Sequence, residues 1–189
     1  MREIADRIRE LADPYLKTRK NDIHTDISYG YALKLLQLEP GDPALVIPAI
    51  LCHDLGWSKV PADLQTTAFG PNAFDFGLRR VHEVEGVKLA RIILQQVDYN
   101  PAKIEEILQI IDGHDSRLTA LSDSDKLVKD ADKLFRFDPA GFRVNLELLS
   151  IEPATLIQYL SDRIEPWFFT SSAKRLAMDN LAKLKRLAI

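Results

Sequence analysis

Apolar residues recur every three or four positions along most of the chain, which is the period of amphipathic α-helices. The pattern predicts five helices followed by two or three more, over residues 24–38, 42–56, 75–97, 101–114 and 122–137, and then near 141–150, 153–168 and 171–187. No segment shows sustained alternation of apolar and polar residues with β-branched side chains, so we predict no sheet. The expected fold class is all-α, a single-domain helical bundle.

Glycine and proline mark the expected helix ends. We expect the second helix to begin at Asp42-Pro43 and to end at Gly56, with a kink or a late start at Pro48. Residues 57–74 contain several such breakers and are expected to be irregular, with room for one short helix.

Length, composition and charge narrow the class of protein. A chain of 189 residues suits one domain, and a net charge of −3 does not favour binding to nucleic acid or to an anionic membrane. The longest apolar run, Ala44–Cys52, is far shorter than the roughly 20 residues of a membrane-spanning helix. Cys52 is the single cysteine, and residues 1–7 are charged where a signal peptide is apolar. We therefore predict a cytoplasmic protein.

Histidine is the scarcest group with useful chemistry. The chain has four histidines, each near one end of an apolar stripe: His24, His53, His82 and His114. Asp54 follows one of them directly, and Asp132 lies on a stripe between Val128 and Phe135. Burying a carboxylate is costly unless it is paired or bound to a metal. If the helices share one core, these imidazoles and carboxylates converge on a site that suits Mn²⁺, Fe²⁺, Co²⁺, Mg²⁺ or Zn²⁺.

A plainer interpretation applies to each residue taken alone. A single histidine on an apolar face is more often a hydrogen-bonded core residue than a ligand. The pairs His53-Asp54 and His114-Asp115 are expected by chance in a chain with 28 acidic residues. Only the ordered set, spread over separate predicted helices, favours a metal site.

This order of residues resembles the HD-domain superfamily of metal-dependent phosphohydrolases, in its small stand-alone bacterial form. Five segments carry the resemblance: DIHTDISYGYALKLL (22–36), AILCHDLGW (49–57), VHEVEGVKLARIIL (81–94), ILQIIDGHD (107–115) and KLVKDADKLFRF (126–137). The resemblance covers about residues 20–138. We expect residues 1–189 to form one domain, with the helices of 139–189 packed on the rest.

The resemblance implies a ligand set and a reaction. The implied metal ligands, for one or two divalent ions, are His24, His53, Asp54 and Asp132, with His82 and His114 added in members that bind a second ion. Catalytic roles are implied for Asp54, as a bridge between two ions, and for His82 and His114. The implied chemistry is attack of metal-activated water on a small phosphate ester, for which we predict a nucleotide.

Several charged residues near these segments are candidate substrate-binding groups. Lys59 follows the His-Asp pair, Lys133 follows Asp132, and Arg79 precedes His82 by one turn, so each is a candidate to bind a substrate phosphate. The alternative for each is a solvated charge beside a helix. Asp130 is expected to face outward or to hydrogen-bond a ligand residue.

Aromatic residues leave two alternatives open. Trp57, Phe69, Phe74 and Phe76 either line the mouth of a substrate site or anchor a loop to the core. The cluster 167–169 either belongs to the core or forms a patch for a homodimer.

Two other functions use the same residues. Some HD-fold proteins are di-iron oxygenases, and a set of histidines and carboxylates can hold iron with open coordination positions. A non-catalytic module that binds a nucleotide or another effector is the third candidate. Trp57 stands where some single-metal nucleotidases have a catalytic glutamate, so no separate side-chain base is expected.

Overall fold

The computed structural model describes residues 2–187, and over this range the protein is all-α, as predicted. Ten α-helices follow one another, and no strand occurs among the described residues. They are α1 (Arg2–Leu16), α2 (Asn21–Leu35), α3 (Pro43–Cys52), α4 (Gly77–Gln96), α5 (Pro101–Ile111), α6 (Asp123–Leu134), α7 (Pro139–Leu149), α8 (Pro153–Ser161), α9 (Ile164–Trp167) and α10 (Ser171–Leu187). Short 3₁₀ helices span Leu55–Lys59, Gln65–Ala68 and Phe135–Phe137.

One hydrophobic core runs through the bundle. Helix α2 packs against α3 and α6, and α3 also packs against α1 and α5. The core extends from Ile8 in α1, through Ile50 in α3, to Leu160 in α8 and Leu184 in α10. The described C-terminal helices therefore share the core of the rest of the chain. No helix among the described residues combines the length and apolarity that crossing a membrane requires.

Helix α1 was not among the predicted helices. Its buried side chains are Ala5, Ile8, Ala12 and Leu16, spaced by three or four residues. This is the spacing of an amphipathic helix, and the charged residues between them face solvent. The pattern was present in the sequence, but alanine supplies half of the buried face and makes the stripe weak.

Four helices (α2, α3, α5 and α6) end three or four residues earlier than predicted, and a fifth predicted helix is divided. Helix α3 ends at Cys52 instead of Gly56, and α5 ends at Ile111 instead of His114. The segment predicted as one helix over 153–168 is broken between α8 and α9. After α5 the backbone turns at Gly113, whose φ of 103° is in the region that favours glycine. As a result His53, Asp54 and His114 lie just beyond helix ends.

Pro48 does not interrupt α3. Proline has no amide hydrogen, so Pro48 leaves the carbonyl of Ala44 without its helical donor. The hydroxyl of Tyr99 donates to this carbonyl at 2.6 Å and replaces the missing bond. The Asp42 side chain caps the start of the helix by accepting from the Ala44 amide. Together these bonds allow a buried helix to contain a proline.

The sequence predicted that Gly56 ends a helix. In the structure Gly56 instead allows two segments to pack closely. A Cβ atom at Gly56 would lie 1.8 Å from the carbonyl oxygen of His82 and 2.5 Å from the amide nitrogen of Gly86. The 3₁₀ helix Leu55–Lys59 therefore lies directly on α4. This contact brings the segment after His53-Asp54 against the helix that carries His82.

Asp130 is buried and joins α6 to the C-terminal segment, in contrast to the outward position expected for it. Its carboxylate accepts from the amides of Phe169 and Thr170, at 2.8 and 2.9 Å, and from the Thr170 hydroxyl at 2.7 Å. The Thr170 hydroxyl oxygen in turn accepts from the amide of Ala173 in the first turn of α10. These bonds hold the start of α10 beside α6.

Replacing Gly56 by alanine tests the contact with α4. The new Cβ would overlap backbone atoms that cannot move independently, so we expect Gly56→Ala to lower the free energy of unfolding by about 3 kcal/mol. Gly30, in α2, is the control because a Cβ there meets nothing within 4 Å. Gly30→Ala is expected to raise the free energy of unfolding by about 0.5–1 kcal/mol. Urea denaturation measures both changes, and similar values for the two variants would contradict this account.

Candidate metal centre

The carboxylate of Asp54 lies in the middle of the four imidazoles. Its Oδ2 atom is 3.5 Å from Nε2 of His24. Its Oδ1 atom is 3.6 Å from Nε2 of His114, 3.7 Å from that of His53 and 3.8 Å from that of His82. All five residues are buried. Residues separated by up to 90 positions thus direct their nitrogen and oxygen atoms to one point.

The histidines form two pairs. Besides the central Asp54, one further carboxylate lies next to each pair. The Nε2 atoms of His24 and His53 are 2.9 Å apart, and Asp132 Oδ1 lies 3.2 Å from His24 Nε2. The Nε2 atoms of His82 and His114 are 3.2 Å apart. Asp132 thus adjoins the first pair, and Asp54 lies between the two.

Asp115, whose position next to His114 is expected by chance from the sequence, adjoins the second pair. Its Oδ2 atom is 3.7 Å from Nε2 of His82 and 3.9 Å from that of His114. These three residues form one of the groups whose ligand atoms lie close enough to hold an ion. The repeated His-Asp dipeptide was the available signal, but its frequency alone did not distinguish it from coincidence.

Hydrogen bonds on the far side of the rings leave the Nε2 atoms available as ligands. Nδ1 of His53 donates to the carbonyl of Ile50 at 2.8 Å, and Nδ1 of His114 donates to that of Ile111 at 2.9 Å. A neutral imidazole with its hydrogen on Nδ1 has a lone pair on Nε2. Buried lone pairs and carboxylates at these separations are stabilised by a cation, so the residues fit one or two divalent metal ions.

Two cations keep the outer carboxylates ionised. Lys133 Nζ lies 2.7 Å from Asp115 Oδ1 and also contacts Asp132, while Arg136 Nη1 lies 3.3 Å from Asp132 Oδ1. Burial by itself raises the pKa of Asp132 and of Asp115, but Lys133, acting together with Arg136 and the nearby imidazoles, outweighs burial, so both pKa values are held well below the usual range. Both groups therefore carry a negative charge at neutral pH.

The turn that carries His114 and Asp115 is held from two sides. Glu83 Oε1 accepts from the amides of Asp115 and Ser116 at 2.9 and 2.8 Å, and Oε2 accepts from the Ser116 hydroxyl at 2.6 Å. The ammonium group of Lys129 donates to three carbonyls of residues 113–117 at 2.5 to 3.1 Å. Neither residue was predicted from the sequence, because each is an ordinary charged residue on a helix. Their role depends on contact with the 113–117 turn, which the local sequence does not reveal.

Trp57 forms part of the wall of the site. Its ring stacks on His82 with centroids 4.2 Å apart, and its Nε1 donates to Asp54 Oδ1 at 3.2 Å. Phe69 packs against Trp57 with centroids 4.9 Å apart, and both rings are buried. Phe74 and Phe76 are exposed. Of the two alternatives for these aromatic residues, loop anchoring describes Trp57, whereas Phe69 both packs on Trp57 and lines the cavity beside the metal centre.

A cavity adjoins the metal centre and includes two of the three predicted phosphate-binding residues. Its lining comprises Phe69, Gly70, Arg79, His114, Asp115, Arg117, Leu118, Lys129, Lys133, Arg136, Tyr159, Pro166, Trp167 and Phe169. Arg79 donates through Nε and Nη2 to the carbonyl of Ala68, at 2.9 and 2.7 Å, which fastens the preceding loop to α4. Lys59 is exposed and is not among the lining residues.

The C-terminal aromatic cluster is divided between the core and this cavity. Phe168 is buried in the core, whereas Trp167 and Phe169 line the cavity. Helices α8 and α9 thus complete a wall beside the residues that surround Asp54. The homodimer suggested for this cluster stays a prediction.

The fold and the site together define an all-α protein with a buried cluster of histidines and carboxylates able to hold a divalent metal. A family model for the HD domain matches residues 22–136, which is more than half of the chain and includes all six predicted ligands. The chain belongs to the HD domain family, whose members are generally metal-dependent hydrolases. Comparisons with curated proteins and with solved structures find no match.

Binding of a metal should release a proton from His114. Burial lowers the pKa of His114, but Asp54 and Asp115 outweigh burial and raise it to about 9, so this ring is protonated at neutral pH without a metal. Burial lowers the pKa of His53 and His82 to about 4, so both stay neutral there. A ligand must lose its proton, so the Kd for Mn²⁺ should decrease about tenfold per pH unit between about pH 6 and 8.

Calorimetry in buffers of different ionisation enthalpy measures the released proton directly. His114→Gln should abolish both the proton release and the slope of Kd against pH. A Kd that does not change with pH in the unmodified protein would contradict the expected charge on His114.

Glu83 should support metal binding without touching the metal. Glu83→Gln keeps the shape of the side chain but weakens the acceptor that holds the 113–117 turn, so we expect the Kd for Mn²⁺ to increase about 10- to 100-fold. Glu85 is the control, because it lies on the same helix and pairs with Lys88 at the surface. Glu85→Gln should leave the Kd unchanged, and an equal loss in both variants would refute the role of Glu83.

Proposed function

We propose that this protein is a divalent-metal-dependent phosphohydrolase that cleaves a small phosphate ester, specifically a nucleotide. One observation carries the proposal: the ligand cluster around Asp54 adjoins a cavity whose wall includes Arg79, Lys133 and Arg136. A phosphate ester is an anion, and arginine and lysine are the side chains that bind it best.

The residues around Asp54 divide into two sets of ligands. His24, His53 and Asp132 would hold one ion, and His82, His114 and Asp115 would hold a second, with Asp54 between them. A bound divalent ion supplies Lewis-acid chemistry, lowering the pKa of water and offsetting charge on phosphoryl oxygens. Lys133 and Arg136 add fixed positive charge on the cavity side of the carboxylates. No other side-chain base is needed at the position of Trp57, which packs on His82.

The aromatic residues of the cavity support a substrate with a planar group. Tyr159, Trp167 and Phe169 line the cavity together with Phe69. Aromatic side chains stack favourably on planar rings. A nucleotide combines such a ring with a phosphate, whereas a sugar phosphate lacks a planar aromatic ring. This difference favours a nucleotide as the substrate.

Elemental analysis followed by a phosphate-release screen across nucleotides tests the proposal. Protein purified without chelators should contain one or two divalent ions per chain and should release phosphate from at least one nucleotide. Asp54→Asn, which preserves side-chain size, should lose most of the metal and at least about 100-fold of the turnover. Asp123→Asn, at an exposed ion pair with Lys126, should change neither.

Two other results would replace the proposal. Iron near two per chain, with oxygen consumption and no phosphate release, would identify a di-iron oxygenase. Tight nucleotide binding without turnover in the presence of Mn²⁺, Fe²⁺, Co²⁺ or Mg²⁺ would identify a binding module.

A further inference from the structure

The turn between α1 and α2 has an unusual backbone. Arg19 and Lys20 have φ values of 53° and 56°, in the left-handed region, and they are the one consecutive pair of non-glycine residues with positive φ in residues 2–187. Each such residue costs about 1 kcal/mol or more. Strain of this kind persists where the surrounding structure holds the residue for another purpose.

The guanidinium of Arg19 lies over two aromatic rings that pack against each other. Its Cζ atom lies 4.1 Å from the centroid of Phe69 and 4.7 Å from that of Trp57. Its Nη1 atom is buried and has no hydrogen-bond partner within residues 2–187. Contact with the faces of the two rings is electrostatic and does not supply a hydrogen-bond acceptor for Nη1. A buried donor on a charged group that stays unpaired costs more than about 1–3 kcal/mol.

Arg19 is also close to the metal centre. Trp57, on which it stacks, packs against His82 and donates to Asp54. Burial lowers the pKa of Arg19, Asp54 acts in the opposite direction, and Arg136 lowers the pKa further. The guanidinium thus lies within electrostatic range of both a ligand carboxylate and another cation of the cavity.

Three arginines from separate elements surround Phe69. Arg19 comes from the turn after α1, Arg79 from α4 and Arg136 from the 3₁₀ helix Phe135–Phe137, and the last two lie 5.7 and 5.9 Å from the ring centroid. Arg79 donates to a backbone carbonyl, and Arg136 donates to Asp132. Arg19 alone of the three keeps a buried unpaired donor. Asp132 offsets the charge of Arg136, whereas Arg19 forms no ion pair within residues 2–187, so an anion near Phe69 would be attracted to it.

We propose that Arg19 is a substrate-binding residue whose unpaired Nη1 donates to an oxygen of the substrate's phosphoryl group. Arg19 does not itself line the cavity, but Phe69, which it contacts, does, and Arg136 lies near the same ring. The inference rests on the proposed function, because a phosphate ester is the anion in question. A guanidinium suits this task because its planar donors match phosphate oxygens. Arg19 precedes the segment 22–136 that matches the family, so membership in the family does not assign it this role.

Titration of the metal-loaded full-length chain with inorganic phosphate, followed by calorimetry, tests the inference. Arg19→Met should raise the Kd for phosphate about 10- to 100-fold, because it removes a buried charge-assisted hydrogen bond. The Kd of Arg19→Lys should lie between those of the unmodified protein and Arg19→Met, since an ammonium group keeps the charge but lacks the planar donors. Arg9→Met is the matched control: Arg9 also stacks on an aromatic ring, Tyr29 at 4.9 Å, but it pairs with Asp26 at the surface. Its Kd should stay within about twofold of the unmodified value.

Metal content and thermal stability separate binding from a structural role. Arg19→Gly suits the left-handed backbone, so it should keep the metal and the unfolding temperature while losing phosphate affinity as Arg19→Met does. A structural role predicts the reverse, a lower unfolding temperature with an unchanged Kd for phosphate. That result, or an unmodified protein that binds no phosphate, would overturn the inference.

The screen of nucleotides distinguishes this inference from the proposed function. If no phosphate ester is hydrolysed but phosphate binding depends on Arg19, the inference stands and the hydrolase proposal fails. If a nucleotide is hydrolysed and Arg19→Met leaves KM and kcat unchanged, the hydrolase proposal stands and the inference fails.

Discussion

The structure depends on one costly arrangement, a carboxylate buried at the centre of four buried imidazoles. Asp54 is ionised in this position because positive charge among the imidazoles, such as the proton on His114, offsets the cost of its burial. Bringing those nitrogens together requires α2, α3, α4 and α5 to meet at their ends. Gly56 allows the approach of α4, and the Tyr99 hydroxyl keeps α3 intact at Pro48. These packing contacts thus allow the helices to place the imidazoles around Asp54.

The charged groups of the metal centre follow an order from the interior of the protein to the cavity. Imidazoles and Asp54 lie innermost, Asp115 and Asp132 lie next to them, and Lys133 and Arg136 lie on the cavity side. Such an order lets the inner groups hold a cation while Lys133 and Arg136, although paired with Asp115 and Asp132, present positive charge to the cavity. The C-terminal helices matter for the same reason. They carry aromatic side chains to the cavity, and Asp130 holds them in place through the backbone before α10.

The residues that sequence reasoning missed share a physical cause. Asp115, Glu83 and Lys129 are charged residues of ordinary appearance, and their burial arises only when the 113–117 turn packs against α4 and α6. Helix periodicity reports which face of a helix is apolar, so it carries no information about turns between helices. Arg19 escaped for a similar reason, since nothing in the letters around it predicts two consecutive left-handed residues. Contacts between distant segments give these residues their surroundings.

The sequence by itself determined the all-α class, most of the helices and the ordered set from His24 to Asp132. These features depend on local spacing, and a period of three to four residues is set within a single helix. Only the tertiary structure decided where α3 and α5 end, that Asp115 faces His82, and that α8 and α9 border the metal centre. Those outcomes depend on backbone contact at Gly56 and on hydrogen bonds that cross the bundle. Such interactions join residues far apart in the chain, and no local pattern records them.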